Sequence, residues 1–362
     1  MFKLKVLFLN NNFYGSYESN QVFLSEAVQA FKLLGVKVRI VASVPDAIRA
    51  YGDFKPDFTL CFSKYFYFLN DKPLYDIYSV PHYQWVSDNP LKIGIDLSSH
   101  FIHYIFIDKE FSLMADTVNK PLYLPLGYLE GGELIPVSEP IDAVLIPCKI
   151  RNLEDIAAKI RQTPHNKEIV EFLGQYNYGS SFIKAFKSYC LNHKVVDMEK
   201  FFRITNEYVR VKKRLAVVNN INSYKVYIVG EDFGNKLKCR KGVNFIHTRP
   251  YQEIGKLMNK FRFVINVDPN YHVCIHDRFI RTVSSGSCCI TNYNDVMDNW
   301  NSNTYQFGKE DHLDSLLESC KMNWCDIAAE QRLKIKRLSW QQSAKAIIQH
   351  FYTSDEVDAY AV

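Results

Sequence analysis

The sequence predicts an α/β fold in which two doubly wound domains each contain a parallel sheet. The chain has 362 residues, which is too many for one compact core and suits two domains. Short apolar runs alternate with segments of helical periodicity in both halves of the chain. Polar residues follow the carboxyl ends of these runs, as expected where parallel strands leave a sheet.

The first half opens with the apolar run KVLFLNNN (residues 5–12), which is typical of a central parallel strand. Phe23, Ala27 and Leu34 then recur at helical spacing before Gly35, which predicts a helix. Further strands are predicted in residues 36–43, 56–63 and 80–88, and at the run beginning with Tyr104.

The segment GGELIPVSEP (residues 131–140) is the predicted linker, because its proline and glycine residues interrupt both kinds of periodicity. The second half has helical patterns but no strand signal from residue 152 to about 221. On both sides of this segment strands and helices alternate again. The predicted strands lie in residues 141–148, 224–230, 242–248, 262–268 and 287–292. We therefore predict a first domain at 1–138 and a second domain at 139–339, with a helical insert at about 152–221.

The composition is that of a soluble globular protein, with 47% hydrophobic and 23% charged residues. A net charge of +5 fits a site for an anionic substrate and is too small to indicate nucleic acid as a partner. The nine cysteines are scattered without a Cys-x-x-Cys pair, which predicts reduced thiols. No apolar run approaches the roughly 20 residues that a spanning helix needs. These features predict a cytoplasmic protein whose contact with a membrane, if any, is peripheral; they do not indicate an oligomeric state.

A dense polar segment, NVDPNYHVCIHDRFIRTVSSGSCCITN (residues 266–292), joins two predicted strands. It resembles the motifs of the CgeB-type, spore maturation protein-like glycosyltransferases, which typically carry NVNPN, a His-Glu-Arg triplet and a later Thr-Asp-x-Asn element. The matching residues are Asn266, Pro269, Asn270, His276, Arg278, Gly286, Thr291 and Asn294. In the first half, YQWVSDNP is similar to the family's Trp-x-x-Asp-x-Pro element through Trp85, Asp88 and Pro90. The resemblance covers about residues 80–350, with the insert outside it.

The resemblance implies the GT-B fold, in which two Rossmann-like domains face an interdomain cleft. It also implies that residues 340–362 form a C-terminal helix that crosses back to the N-terminal domain. The implied activity is transfer of a sugar from a nucleotide-sugar to a hydroxyl of a glycan, surface polymer or protein. No Asp-x-Asp pair follows a strand of the donor domain, so the mechanism is expected to need no metal ion and no cofactor.

The implied donor site explains the polar segment. A donor diphosphate suits a helix N-terminus, where free backbone N–H groups and the helix dipole favour anions. His276, Asp277 and Arg278 begin the predicted helix, and an arginine fork binds phosphate in bidentate fashion. His276 is also a candidate catalytic residue, because it can donate a proton to the leaving phosphate. The alternative is a solvated helix start capped by an aspartate.

Two departures from the family pattern affect what the resemblance implies about donor binding. Asp277 replaces the usual glutamate, and Arg281 stands where related enzymes place a residue that binds the ribose. Arginine cannot accept hydrogen bonds from ribose hydroxyls. Either Arg281 contacts phosphate or the donor is bound differently, so the base and sugar of the donor stay open.

Other donor-binding candidates lie at strand ends. Gly230 ends a predicted strand where the backbone can approach the donor, or it forms a plain turn. The segment His247, Thr248 and Arg249 follows another strand, where it contacts the base or is a solvated loop. Asn270 and Gly286 are included through the motif, since Gly286 lets the helix end approach the sheet.

A base is needed to deprotonate the acceptor hydroxyl, and a carboxylate or histidine in the first domain could serve. Asp88 is the leading candidate, although an aspartate before Asn-Pro also suits a turn cap. His82 is the second candidate, and Asp108 and Glu18 are further alternatives. Two other functions stay open, a nucleotide-sugar epimerase or hydrolase and a non-catalytic nucleotide-sugar-binding module.

Overall fold

The structure is a computed structural model of the chain. It describes residues 3–11, 19–65, 67–93, 99–115, 117–195, 197–230, 237, 240–268, 270–298, 306–308 and 313–353. The candidate base Glu18 and the motif residue Pro269 lie outside the described residues.

The chain divides into two compact units. The first unit contains Met1–Gly132, Pro250–Gln252 and Lys336–Val362, and the second contains Glu133–Arg249 and Glu253–Ile335. The first boundary therefore lies within the predicted linker, and the C-terminal helix belongs to the first unit.

The first unit is built on a six-stranded parallel sheet. Its strands are β1 (Lys5–Leu9), β2 (Lys37–Val41), β3 (Phe58–Phe62), β6 (His82–Val86), β7 (Ile102–Phe106) and β8 (Leu122–Tyr123). They are ordered β2-β1-β3-β6-β7-β8, so β3 and β6 are central and buried along their whole length. A two-residue hairpin that was not predicted, β4 (Phe68–Leu69) and β5 (Lys72–Pro73), follows β3.

Helices of the first unit lie between its strands, except the last, which comes from the C-terminal end of the chain. They are α1 (Ser19–Leu33), α2 (Val44–Asp53), α3 (Leu74–Ile77), α4 (Pro90–Ile93) and α14 (Trp340–Thr353). The last of these packs against α1, and its buried Trp340 donates an indole hydrogen bond of 2.8 Å to Glu26. Gly127 lies against the start of α14, where a Cβ would be only 2.7 Å from the Trp340 nitrogen. The C-terminal helix is thus part of the core of this unit.

The second unit also has a six-stranded parallel sheet. Its strands are β9 (Ile141–Ile146), β10 (Val226–Val229), β11 (Val243–Ile246), β12 (Phe261–Asn266), β13 (Cys288–Asn292) and β14 (Gln306–Phe307). The order is β11-β10-β9-β12-β13-β14, so the direction of winding reverses between β9 and β12. Ligands of doubly wound sheets bind at the carboxyl ends of the strands beside such a switch point.

The insert between β9 and β10 is helical. It contains α5 (Leu153–Gln162), α6 (Asn166–Gln175), α7 (Phe182–His193) and α8 (Met198–Asn220). Phe172, Phe186 and Phe201 are buried and pack their rings against one another, with centroids 5.3 to 6.1 Å apart. The insert therefore has an apolar core of its own, and α8 is its longest helix.

The remaining helices of the second unit lie between its later strands or follow the last of them. They are α9 (Tyr251–Asn259), α10 (Asp277–Ser284), α11 (Asp295–Asp298), α12 (Leu313–Lys321) and α13 (Trp324–Ile335). After α10 the chain turns at Gly286, whose φ of +85° is costly for other residues. A Cβ at Gly286 would lie 2.9 Å from the nitrogen of Pro136, so this glycine permits a close approach of the chain.

The predicted α/β class with parallel sheets is confirmed. Within the part of the chain that the structure describes, no helix has both the length and the apolar character needed to cross a membrane.

Candidate functional site

The carboxyl edge of the second sheet collects the polar residues that follow its strands. Because all six strands are parallel, the residues after β9, β10, β12 and β13 meet at this one edge. They include Lys149 after β9, Gly230 after β10, Asp268 after β12 and Asn294 after β13. The edge contains the switch point and is the candidate site.

Asp268 is the centre of a buried polar cluster at this edge. Its carboxylate accepts hydrogen bonds from Asn266 Nδ2 at 2.6 Å and from Asn294 Nδ2 at 3.0 Å. Its backbone nitrogen donates to Asn292 Oδ1 at 2.6 Å. Burial raises the pKa of Asp268, and the charges of His276 and Arg278 together with the two amide hydrogen bonds oppose that shift. The carboxylate is thus held by donors and cations rather than by solvent.

Arg278 holds the turn that follows β12. Its Nη1 donates to Asn266 Oδ1 at 3.1 Å and to the carbonyl of Val267 at 2.9 Å. Asn266 Nδ2 also donates to Thr291 Oγ1 at 3.0 Å, which ties β12 to β13. These bonds use one of the three guanidinium nitrogens, so Arg278 orients the turn and retains further N–H groups. We call this set the Asp268 cluster: Asn266, Asp268, His276, Arg278, Thr291 and Asn294.

His276 is the N-cap residue of α10. Its Nδ1 lies 3.1 Å from the backbone nitrogen of Arg278 and 2.8 Å from a carboxylate oxygen of Asp277. An unprotonated Nδ1 accepts from the amide, whereas a protonated Nδ1 donates to Asp277. The amide of Phe279 is also bonded, at 3.0 Å to the carbonyl of His276. Two of the first amides of α10 are therefore occupied within the helix, and a diphosphate here would rely more on side chains than expected.

A cavity of about 420 Å³ lies beside the Asp268 cluster, within the second unit. Strand-end residues line one side of it, namely Asp268, Asn270, Tyr271, His272, Asn292, Tyr293 and Phe307. Residues of the insert line the other side, namely Tyr178, Gly179, Ser180, Phe182, Lys212, Lys213, Ala216, Val217 and Asn220. We call it the insert cavity, because the insert completes its wall.

Asn270 joins the two sides of the insert cavity. Its φ of +64° is in the left-handed region, which asparagine tolerates better than most residues. Its Nδ2 donates to Asn206 Oδ1 of α8 at 2.8 Å. Its Oδ1 is buried and has no hydrogen-bond partner among the residues that the structure describes. The side chain fixes the insert to the β12 loop and leaves one acceptor unused.

Lys213 brings a cation from α8 to the cavity. Burial lowers its pKa to about 8, and the Asp268 carboxylate opposes this shift. Its ammonium nitrogen lies 5.9 Å from the centroid of the Tyr176 ring, and Lys212 Nζ lies 4.7 Å from that of Tyr178. Lys213 and Arg278 thus bring two cationic side chains near one buried carboxylate, and the His276 imidazole belongs to the same cluster.

The other predicted donor residues have different surroundings. Gly230 has a φ of +134° and faces the side chain of Lys149, so its conformation suits glycine. His247, Thr248 and Arg249 are exposed after β11, where Arg249 lies 3.4 Å from Glu253. The side chain of Arg281 lies towards α9, since a Cβ built on Gly255 would be 3.7 Å from its Cδ. These residues are not among those that line the insert cavity.

The candidate bases lie in the first unit. Asp88 follows β6 and is partly exposed, while its neighbour Trp85 is buried and stacks on Phe62. Asp108 is fully buried and caps a short 3₁₀ helix by accepting from the Glu110 amide at 2.7 Å. Asp88 is therefore the more accessible of the two carboxylates.

His82 is enclosed in the core of the first unit. Its Nδ1 lies 2.7 Å from Thr59 Oγ1, and its Nε2 lies 3.3 Å from Cys61 Sγ. Burial, with a smaller contribution from the nearby His103, lowers the pKa of His82 to about 3. Both ring nitrogens are occupied and the side chain is inaccessible, so this geometry does not suit a base that must reach an acceptor.

Sequence reasoning did not select Asp268 or Lys213. In the sequence, Asp268 marks only the break after a strand. Lys213 follows Val209 and precedes Val217 at intervals of four residues, and both valines are buried. A lysine on an apolar helical stripe is a signal that could have identified it.

Metal ligands form no centre in the part of the chain that is described. No group of three or more His, Cys, Asp or Glu residues there is arranged to hold a metal ion. His272 and Asp295, 3.2 Å apart, form an isolated pair.

Comparison with known proteins gives fold relatives but no sequence relatives. No protein-family model matches the chain, and a search of curated proteins gives no match. Solved structures of glycosyltransferases match almost the whole chain. Anabaena HepE, solved in complex with UDP-glucose, is 10% identical with a TM-score of 0.54 and covers 96% of this chain and 99% of its own.

Two further solved structures also match almost the whole chain. The T4 phage β-glucosyltransferase is 12% identical with a TM-score of 0.59, covering 99% of this chain and 100% of its own. Sucrose-phosphate synthase from Thermosynechococcus elongatus is 8% identical with a TM-score of 0.56, covering 97% and 99%. At these identities the likeness shows the fold, which is that of the GT-B glycosyltransferases.

Proposed function

We propose that this chain is a glycosyltransferase that moves a sugar from a nucleotide-sugar to a hydroxyl of a glycan, surface polymer or protein. The observation that carries the proposal is the Asp268 cluster. It places a buried carboxylate, the Arg278 guanidinium and the His276 imidazole at the switch point of the second sheet, in a chain with the GT-B fold. Fold alone does not define a reaction, so the proposal depends on this site.

The proposed donor is a uridine diphosphate sugar. HepE was solved with UDP-glucose, and a DNA-modifying β-glucosyltransferase was solved with uridine diphosphoglucose as its substrate. The residues proposed to hold the diphosphate are His276 and Arg278. His247, Thr248 and Arg249 are proposed to contact the base, and Gly230 to allow a close approach of the backbone.

The chemistry asks the site to stabilise negative charge on the departing diphosphate. Fixed cations in a site of low dielectric constant stabilise developing charge strongly and need no reorganisation during the reaction. Arg278 is held by two hydrogen bonds to the β12 turn, so its charge is positioned before the donor binds. We propose that these side chains serve the leaving group without a metal ion.

The acceptor hydroxyl must lose a proton as it attacks the anomeric carbon. We propose Asp88 as the base, because it follows the carboxyl end of a central strand and is partly exposed. The oxygen of the acceptor forms the new bond to the anomeric carbon, the bond to the diphosphate breaks, and the proton passes to the Asp88 carboxylate.

A nucleotide panel tests the proposal. Melting curves are recorded with UDP, GDP, CMP and dTDP and with their sugar conjugates. A ligand at about 100 times its dissociation constant stabilises the folded chain by roughly 2.7 kcal/mol, which shifts a melting curve visibly. We expect uridine nucleotides to stabilise most. The absence of any shift across the panel at millimolar ligand would overturn the proposal.

The same panel separates the alternatives. A non-catalytic binding module would bind a nucleotide-sugar and leave it intact during long incubation. An epimerase or hydrolase would convert the donor without any added acceptor.

A further inference from the structure

The insert cavity contains two buried polar atoms that no described residue satisfies. They are Asn270 Oδ1, on the β12 loop, and the hydroxyl of Tyr178, in the insert. Asn270 as a whole is only 4% exposed. Buried polar groups in folded proteins are nearly always hydrogen-bonded, so two groups that lack a partner among the described residues are candidates to bond a ligand in this cavity.

The unsatisfied acceptor restricts the chemistry of that partner. Asn270 Nδ2 is committed to Asn206, which orients Oδ1 as an acceptor. Only a ligand with a hydrogen-bond donor can satisfy it. A fully ionised phosphate or a carboxylate has no donor, and it would also lie near the buried Asp268 carboxylate. An anion therefore fits this cavity poorly.

The rest of the lining suits a polyhydroxylated ring. The Lys213 ammonium can donate to a hydroxyl oxygen, and the Tyr178 hydroxyl can donate or accept. Phe182, Tyr271 and Phe307 are mostly buried and offer apolar ring surface for the C–H groups of a sugar. A cavity of about 420 Å³ is within the range of small-molecule sites, roughly 300–1,000 Å³.

We propose that the insert cavity binds a neutral hexopyranose, with ring hydroxyls bonded to Asn270 and Tyr178. The insert then has a function, because it supplies Tyr178 and Lys213 and is fixed to the β12 loop through Asn206. A sugar at this position comes either from the nucleotide-sugar or from a free glycan. That choice rests on the proposed function, whereas the fit of a pyranose to the cavity does not.

The test uses the full chain with Tyr178→Phe and Asn270→Gly. The first variant removes one hydroxyl and keeps the ring, and the second suits the positive φ at this position. Tyr227→Phe, which removes a phenol outside the cavity, is the matched control. Calorimetry measures the affinity for UDP and for UDP-glucose. Saturation-transfer NMR measures the binding of glucose, galactose, N-acetylglucosamine and maltose. Melting curves confirm that each variant is folded.

The two sources of the sugar give different results. If the cavity takes the donor sugar, Tyr178→Phe and Asn270→Gly each lower the affinity for UDP-glucose about 10-fold. Both leave the affinity for UDP within two-fold of the wild-type value. If the cavity takes a glycan, both variants lower the affinity for a free saccharide about 10-fold and leave the affinity for UDP-glucose unchanged.

Equal behaviour of Tyr178→Phe and Tyr227→Phe in both arms would overturn the inference. So would wild-type protein that binds UDP and UDP-glucose equally and binds none of the free sugars. Either result leaves the proposed function standing, because UDP binding is measured separately. If the wild-type chain did not bind UDP, that result would instead count against the proposed function.

Discussion

Asp268 shows how single residues make the candidate site. A buried carboxylate is costly unless donors and cations surround it. Here Asn266 and Asn294 provide the donors, and His276 and Arg278 oppose the effect of burial on the pKa of Asp268. Each of these four residues matches the motif from which the sequence predicted a donor site, whereas Asp268 itself was not selected. The sequence located the cluster because strand ends and motif residues coincide there.

Arg278 is predicted to serve the donor phosphate as well as the β12 turn. Arg278→Ala should lower the affinity for UDP about 10-fold or more, because a charged hydrogen bond contributes about 1.5–3 kcal/mol. It should hardly change the affinity for uridine, which has no phosphate. Calorimetric titration of both ligands measures the difference. Arg161→Ala, which removes an exposed charge from the insert, is the control. Equal losses for UDP and uridine would mean that Arg278 only holds the fold.

Asp88 is predicted to be the base. Asp88→Asn should lower the rate of transfer by a factor on the order of 10² or more and leave UDP affinity unchanged, because an amide cannot take the proton. Initial rates at saturating donor, combined with a UDP titration, separate the two effects. Near-normal turnover in this variant would exclude Asp88 and direct attention to other carboxylates of the first unit.

His82 is predicted to make stability depend on pH rather than to take part in catalysis. Its ordinary pKa of 6.5 is lowered to about 3 by burial, so the unfolded chain binds a proton that the folded chain does not. The free energy of unfolding therefore falls as the pH decreases through 6.5, the ordinary pKa of histidine. From pH 7 to pH 5 the loss from His82 alone is about 2 kcal/mol.

Urea unfolding of wild type and His82→Gln at both pH values checks this. The variant should lose less stability on acidification, whatever its stability at pH 7. His247→Gln, which changes an exposed histidine, should keep the wild-type dependence. An unchanged pH dependence in His82→Gln would contradict the assignment.

At the scale of elements, the strands were easier to predict than the use of the insert. β12 and β13 are continuous apolar runs in a central position, and such runs can hardly be anything but buried strands. The insert was predicted as helical, but its contribution to a cavity depends on which face of α8 meets the β12 loop. The contact from Asn270 to Asn206 shows that, together with the residues that line the cavity. The position of His82 in the core has a similar origin, since β6 is a central strand.

The turn between α10 and β13 is predicted to require glycine. Gly286→Ala should destabilise the chain by about 2 kcal/mol or more, because the left-handed φ costs roughly 1–2 kcal/mol and the new Cβ would lie within 2.9 Å of Pro136. Gly174→Ala is the control, since Gly174 is in α6 and a Cβ added there would meet no atom within 4 Å. That change should stabilise by up to about 1 kcal/mol. Equal urea midpoints for the two variants would contradict this account of the turn.

For the whole molecule, the alternation of strands and helices was enough to predict two parallel sheets, and both are present. Length, composition and charge limited the chain to a globular enzyme or binding protein but did not distinguish between them. That distinction depends on side-chain chemistry, in which a carboxylate, several cations and an aromatic cavity meet at one sheet edge.

The most direct test of glycosyl transfer follows the anomeric proton of the donor by NMR. UDP-glucose, or the donor selected by the nucleotide panel, is incubated with the chain and a mixture of oligosaccharide and peptide acceptors. We predict that UDP is released, that a new glycosidic signal appears on an acceptor, and that a chelator leaves the rate unchanged. A donor that is bound but stays intact, or that yields only free sugar or an epimer with every acceptor, would contradict the account.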